Sequence, residues 1–254
     1  MTFSTIRISI PYRFLFGVIT ALLCLILVAC SGERYTALMN AARNGDTEAV
    51  IHMLDLGTET NQKTSKGKTA LMLAAAGGFT DIVKVLVDRG ADYAIRDNYD
   101  TTALIAAATS GHPDTAVALI EYGADPTFKD SSGGSALSNA TFFGYTEVVL
   151  AILDKMPELS APVGNELLLL SAGLGHEKIA IALIKKGVDV NARGVKGRTP
   201  LMAAAAFNKI ELIKVLLDNN ADSKITDEDG TTALQVAINK GNQEIISLLK
   251  SVQK

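Results

Sequence analysis

Leucine recurs along the chain at Leu38, Leu71, Leu104, Leu137, Leu168, Leu201 and Leu234, at intervals of 33, 33, 33, 31, 33 and 33 residues. A fixed period of this size means that one supersecondary unit is repeated and stacked, since a unit of that length cannot bury its apolar face alone. Each unit then contacts only its neighbours, and the stack presents one long surface. The expectation is a chain that holds another protein and performs no chemistry of its own.

Alignment on the leucines makes the unit legible. Thr36, Thr69, Thr102, Ser135, Thr199 and Thr232 stand two residues before a leucine, where a hydroxyl side chain caps a helix N-terminus. Pro200 falls just inside such a start, where its missing N–H is no loss. Small residues follow, at Ala41-Ala42, Ala74-Ala75, Ala107-Ala108 and Ala204-Ala205, and permit close approach of neighbouring helices. Seven residues after the leucines come Gly45, Gly78, Gly111, Gly144, Gly175, Asn208 and Gly241. These residue types tolerate the left-handed conformation that ends a helix. A second helix carries apolar residues at helical spacing, such as Ile82, Val83, Leu86 and Leu212, Ile213, Leu216. It stops at Gly57, Gly90, Gly123, Gly187 and Asn220, and a polar projecting turn follows.

Helix, turn, helix and projecting turn at this period resemble the ankyrin repeat, whose signature is Thr-Pro-Leu-His-x-Ala. Thr199-Pro200-Leu201 keeps its first three positions, and Gly90-Ala91-Asp92, Gly123-Ala124-Asp125 and Asp229-Gly230-x-Thr232-Ala233-Leu234 fit the family in register. The resemblance implies an all-α solenoid of about seven repeats over 35–254. The family's histidine is replaced throughout, by Met39, Met72, Ile105, Ser138, Leu169, Met202 and Gln235, so the bonds it makes between turns should be absent. The fourth unit is degenerate. Lys155 to Gly164 holds Pro157 and Pro162, which cannot donate ladder hydrogen bonds, and predicts an irregular, shortened turn and a local change in stacking angle. The last helix reads as a cap, with Ile245, Ile246, Leu248 and Leu249 inward and Lys250, Gln253 and Lys254 toward water.

Residues 1–29 do not belong to the array. Arg7 and Arg13 precede an almost wholly apolar run from Phe14 to Ala29, the pattern of a signal peptide. The run is shorter than the roughly 20 residues of a spanning helix. Leu27-Val28-Ala29-Cys30 resembles the bacterial lipobox, which implies cleavage before Cys30 and lipidation of Cys30. That family carries three acyl chains; two or more hold a protein stably to a bilayer where one does not. Ser31 lacks the inner-membrane retention aspartate, so the resemblance implies an outer-membrane protein facing the periplasm. Residues 30–34 form a tether shorter than about 20 Å, which places the first repeat near the bilayer. Cys24 leaves with the leader, so no internal disulfide or catalytic thiol remains.

Composition excludes a nucleic-acid partner. Of 24 basic residues Arg7 and Arg13 leave with the leader, and 27 acidic residues remain, a net charge of −5. No catalytic, cofactor or metal site is expected, and no small-molecule substrate. His112 and His176 occupy the family's Gly-His framework position, and His52 is isolated. Asp227-Glu228-Asp229-Gly230 lacks the later carboxylates of a calcium loop. Gly194 to Thr199 lacks the Gly-Lys-Thr ending of a phosphate loop, and no strand precedes it.

The family binds proteins through its projecting turns and the concave ends of its first helices. Transfer by register gives Lys66, Lys68, Tyr99, Thr109, Phe142, Phe143, Leu174, Lys196, Arg198 and Phe207 as candidate partner-binding residues. Tyr99, Phe142, Phe143, Leu174 and Phe207 put apolar groups where a solvated helix end is normally polar, which suits them as anchors for an as yet unidentified protein partner. The four basic residues could steer an acidic partner. Within this interaction class, a toxin-neutralising immunity protein and a partner in peroxide defence are alternatives to a general adaptor. An enzyme would need catalytic polar groups converging in the groove.

Overall fold

The computed structural model describes residues 35–156 and 158–252. Residues 1–34, on which the expected leader, lipidated Cys30 and tether fall, and Pro157, Gln253 and Lys254 lie outside the described residues. The described chain forms fourteen α-helices in seven consecutive pairs and no strand. The first helices are α1 (Ala37–Asn44), α3 (Ala70–Gly77), α5 (Ala103–Ser110), α7 (Ala136–Phe143), α9 (Ala161–Leu174), α11 (Pro200–Ala206) and α13 (Ala233–Lys240). The second helices are α2 (Thr47–Asp55), α4 (Thr80–Asp88), α6 (Pro113–Glu121), α8 (Thr146–Lys155), α10 (Glu177–Lys185), α12 (Ile210–Asp218) and α14 (Gln243–Ser251). First helices pack on first helices and second on second, so one apolar core runs through the stack.

The predicted caps form. The side chains of Thr36, Thr69, Thr102, Ser135, Thr199 and Thr232 each accept a hydrogen bond from the backbone N–H three residues on. Behind them the paired alanines are closed from solvent, Ala74, Ala75, Ala107, Ala108, Ala204 and Ala205 all at 0% exposure, so the helices meet without intervening bulk. Where the family histidine is missing, Met39, Met72, Ile105 and Met202 enter the core. Ser138 takes another role: its hydroxyl accepts from the Ser135 N–H at 2.8 Å and completes a capping box.

Gly45, Gly78, Gly111, Gly144, Gly175 and Gly241 end their helices with φ between 72° and 85°, and Asn208 does so at 55°. At four of these glycines the next repeat lays a ring over the turn. A Cβ on Gly45 would lie 2.5 Å from Phe79, one on Gly78 2.5 Å from His112, one on Gly111 3.2 Å from Tyr145 and one on Gly144 2.5 Å from His176. The histidines also hydrogen-bond backward through Nε2, His112 to the Ala76 carbonyl at 3.1 Å and His176 to the Phe142 carbonyl at 3.2 Å. Both act as framework residues.

The projecting turns are short hairpins. Asp97, Asp130 and Asp227 hold theirs by accepting two backbone N–H groups each, from Tyr99 and Thr101, Ser132 and Gly134, and Asp229 and Thr231. Neighbouring tips join through Asn98 N–H to Lys66 carbonyl, Ser131 N–H to Tyr99 carbonyl and Glu228 N–H to Lys196 carbonyl, at 2.9–3.0 Å. Burial pushes the Asp130 carboxyl up, but bonds from Ser132, Asn139 and Gly134 outweigh it and hold the group below the ordinary carboxylate value of 3.8.

The fourth-to-fifth junction differs from expectation. An irregular turn was predicted; instead α9 begins at Ala161 and runs 14 residues, against seven or eight in the other first helices. The cause is local. The cap position holds Glu166, a good helix former that offers no hydroxyl cap, so the helix continues backward through it. Pro162 sits in the first turn, where a proline is tolerated. At the far end Ile245, Ile246 and Leu249 are buried and Lys250 is exposed, as a terminal cap requires.

Two stability predictions follow from this geometry. Gly57 and Gly78 both have positive φ, but nothing lies above Gly57. Gly57→Ala should cost about 1 kcal/mol, and Gly78→Ala about 3 kcal/mol because overpacking against His112 adds to the strain; equal losses in urea titration would refute the ring contact. Asp130, with its depressed pKa, contributes stability that is complete above about pH 4 and is lost as the pH falls through the folded value. The Tm gap between wild type and Asp130→Ala should therefore shrink below pH 4.

Candidate partner-binding face

First helices end, and hairpins project, on one side of the stack. The structure keeps the candidate anchors in solvent: Tyr99 is 63% exposed, Phe142 54%, Phe143 51%, Phe207 49% and Leu174 41%. Phe142 and Phe143 meet edge to face at 5.2 Å between ring centroids, and Phe143 stacks on Tyr145 at 5.8 Å. Tyr145 in turn rests on Gly111, so the pair is braced from behind and keeps its outer faces free. Phe207 lies near Gly175, the residue after Leu174, which brings two more candidates together one repeat on.

The basic candidates sit on the hairpins. Lys66, Lys196 and Arg198 are exposed and Lys68 is half-buried. Lys66 and Lys196 also belong to the frame, because their carbonyls accept the tip bonds from the next repeat. Arg198 Nε stands 4.0 Å from Asp227 Oδ2. Asp227 itself is turned inward on its hairpin, with Oδ1 engaged by backbone N–H groups. Thr109 is half-buried, and its hydroxyl is enclosed with no hydrogen-bond partner among the described residues.

Between α9, α11 and α13 on one side and the hairpins 194–198 and 227–231 on the other runs a groove of about 680 Å³. Leu169, Gly173, Ala203, Ala206 and Val236 form its floor, and Arg198, Asp229 and Lys240 stand at its edges. Arg198 and Phe207 from the sequence-derived set line it; the floor residues were not in that set. They stand one, two or five residues after their leucine, and the apolar character of those register positions was the available clue. A groove with an apolar floor and charged edges can bury a partner's apolar side chains and orient them by charge.

Comparison with known proteins agrees with this architecture. A family model described as ankyrin repeats (3 copies) matches residues 18–97, 38–130, 94–162 and 168–254. Protein phosphatase 1 regulatory subunit 12A of Mus musculus is 35% identical over 94 residues, 37% of this chain and 9% of that protein. A putative ankyrin repeat protein of fowlpox virus is 36% identical over 87 residues, 34% of this chain and 20% of that protein. This chain thus spans only a small part of the length of these relatives. The ankyrin repeat domain of human ASB11 superposes with a TM-score of 0.71 at 25% identity, covering 85% of this chain and 97% of that one. That of Bcl-3, a member of the IkappaB protein family, gives 0.72 at 25% identity over 85% and 98%. The chain belongs to the ankyrin repeat family.

Proposed function

We propose that this protein is a lipid-anchored, non-enzymatic adaptor that holds a protein partner on the concave face made by its first helices and hairpins, at the periplasmic side of a bacterial outer membrane. One observation carries the binding reading: Phe142, Phe143, Leu174 and Phe207 remain exposed at the C-terminal ends of three consecutive first helices. Large apolar groups in such a row leave water only when something covers them, and aromatic residues dominate the energetics of such contacts. The hairpins carrying Lys66, Lys68, Lys196 and Arg198 flank the row and suit a partner with acidic groups outside an apolar centre. Anchoring rests on the leader and Leu27-Val28-Ala29-Cys30 in the sequence. With three acyl chains on Cys30 and a tether of a few residues, the first repeat stays within about 20 Å of the bilayer, which favours a partner that is itself near the membrane.

Affinity isolation from solubilised membranes tests the binding face. A Phe142→Ala, Phe143→Ala double variant should capture its partner at least ten-fold less well, as expected even if only one of the two is an anchor of about 2 kcal/mol. An unchanged partner set removes these residues from the proposal. For the anchor, Cys30→Ala should abolish incorporation of a labelled fatty acid and move the protein out of the outer-membrane fraction; label retained in that variant would show acylation elsewhere.

A further inference from the structure

The row of hairpins has a gap, and the gap has chemistry. In three hairpins the residue six before the leucine donates its N–H backward, to the carbonyl of the residue five before the preceding repeat's leucine. Asn98 and Ser131 donate to Lys66 and Tyr99, and Glu228 donates to Lys196. By this register the fifth repeat would supply Pro162 and Val163, but Pro162 has no N–H and both residues lie in α9. Two backbone groups are therefore left over. The Ser132 carbonyl receives no donor and the Val195 N–H finds no acceptor among the described residues. They belong to the hairpins that precede and follow the missing one, the fourth and the sixth.

Between the fourth hairpin and the start of α9 lies a cleft of about 180 Å³. Its apolar lining comes from Leu137, Met156, Leu159, Val163 and Leu167, with Lys129, Glu158 and Glu166 at the rim. The volume selects the occupant. Pockets for cofactors and other small molecules run to about 300–1,000 Å³, whereas this cleft holds about one large side chain. An open hairpin edge above an apolar hole is the arrangement that strand addition uses: main-chain bonds provide affinity, and a side-chain pocket provides selectivity.

We propose that the gap at the fourth-to-fifth junction receives an extended or hairpin-shaped peptide segment of a protein partner. The segment donates an N–H to the Ser132 carbonyl at the open edge of the fourth hairpin and drops one large apolar side chain into the cleft. This deepens the adaptor reading and rests on it, while using a surface separate from the Phe142–Phe143 pair.

The test uses the mature full-length protein and a displayed library of random linear 12-residue peptides, with the selected peptides then synthesised. Their affinity should fall at least ten-fold on Val163→Trp, which fills the cleft. Glu166→Trp, at an exposed rim position, should act in the same direction and covers the case in which the first variant folds poorly. The peptides should carry one large apolar residue in common, and N-methylation at a single backbone position should weaken them ten-fold. Failure to select peptides, binding to both cleft variants as tight as to the wild type, or a cleft that takes up decanoate but no peptide overturns the proposal. Phe142→Ala, Phe143→Ala should leave these peptides bound, so failure here and failure of the concave-face reading are told apart.

Discussion

Everything in this molecule depends on residues that turn the chain with positive φ at the end of each first helix. The turn reverses the chain in one step and exposes a bare backbone surface. The next repeat then covers that surface with a side chain, Phe79, His112 or Tyr145. Local conformation and inter-repeat packing are thus the same contact seen from two sides. A side chain on Gly78 or Gly144 would disturb both at once, which makes these glycines more demanding than those that merely end a second helix. The pattern also adapts: at the sixth repeat Asn208 takes the left-handed turn, and Asn242 of the seventh repeat donates to its side chain at 3.3 Å.

Stacking by this device frees the outward side chains of the first helices from any structural duty. Second helices and hairpins instead carry polar ties between repeats. Arg89 pairs with Asp55 at 2.7 Å, the Tyr122 hydroxyl donates to Asp88 at 2.8 Å, and Lys155 pairs with Glu121 at 2.6 Å. Asn61 and Asn191 each bridge to the next repeat by donating to one backbone carbonyl and accepting from one backbone N–H. These exposed pairs set register more than stability, since surface ion pairs contribute little. The face made by the first helices is left free to be apolar, and Phe142, Phe143, Leu174 and Phe207 occupy it. A surface released from holding the fold is where partner recognition can vary without cost to stacking.

The fourth-to-fifth junction shows the same logic by exception. A single change of cap, Glu166 in place of threonine or serine, removes the signal that would start the helix late. Residues of the missing hairpin are absorbed into α9, and α9 packs on α7 less extensively than α7 packs on α5. The continuous core survives, because Leu167, Leu168 and Ala172 keep their places. Only the projecting layer is lost, and its loss leaves both the cleft and the two unpaired backbone groups.

The sequence alone determined the repeat, its period, the caps, the left-handed turns and the framework role of His112 and His176, because each follows from contacts within one unit or from the conformational range of one residue. It also marked the exposed aromatic row, since register places those residues beyond the buried stripe. The length of α9 was local in cause too, set by Glu166 where a hydroxyl cap stands in other repeats and by Pro162 at a tolerated first-turn position, but the register of the repeat pointed to a turn there instead. Tertiary structure alone decided the rest. The groove floored by Leu169, Ala203 and Val236, and the cleft between Leu137 and Val163, exist only between units, where side chains from different repeats converge and no single repeat encodes the space they enclose.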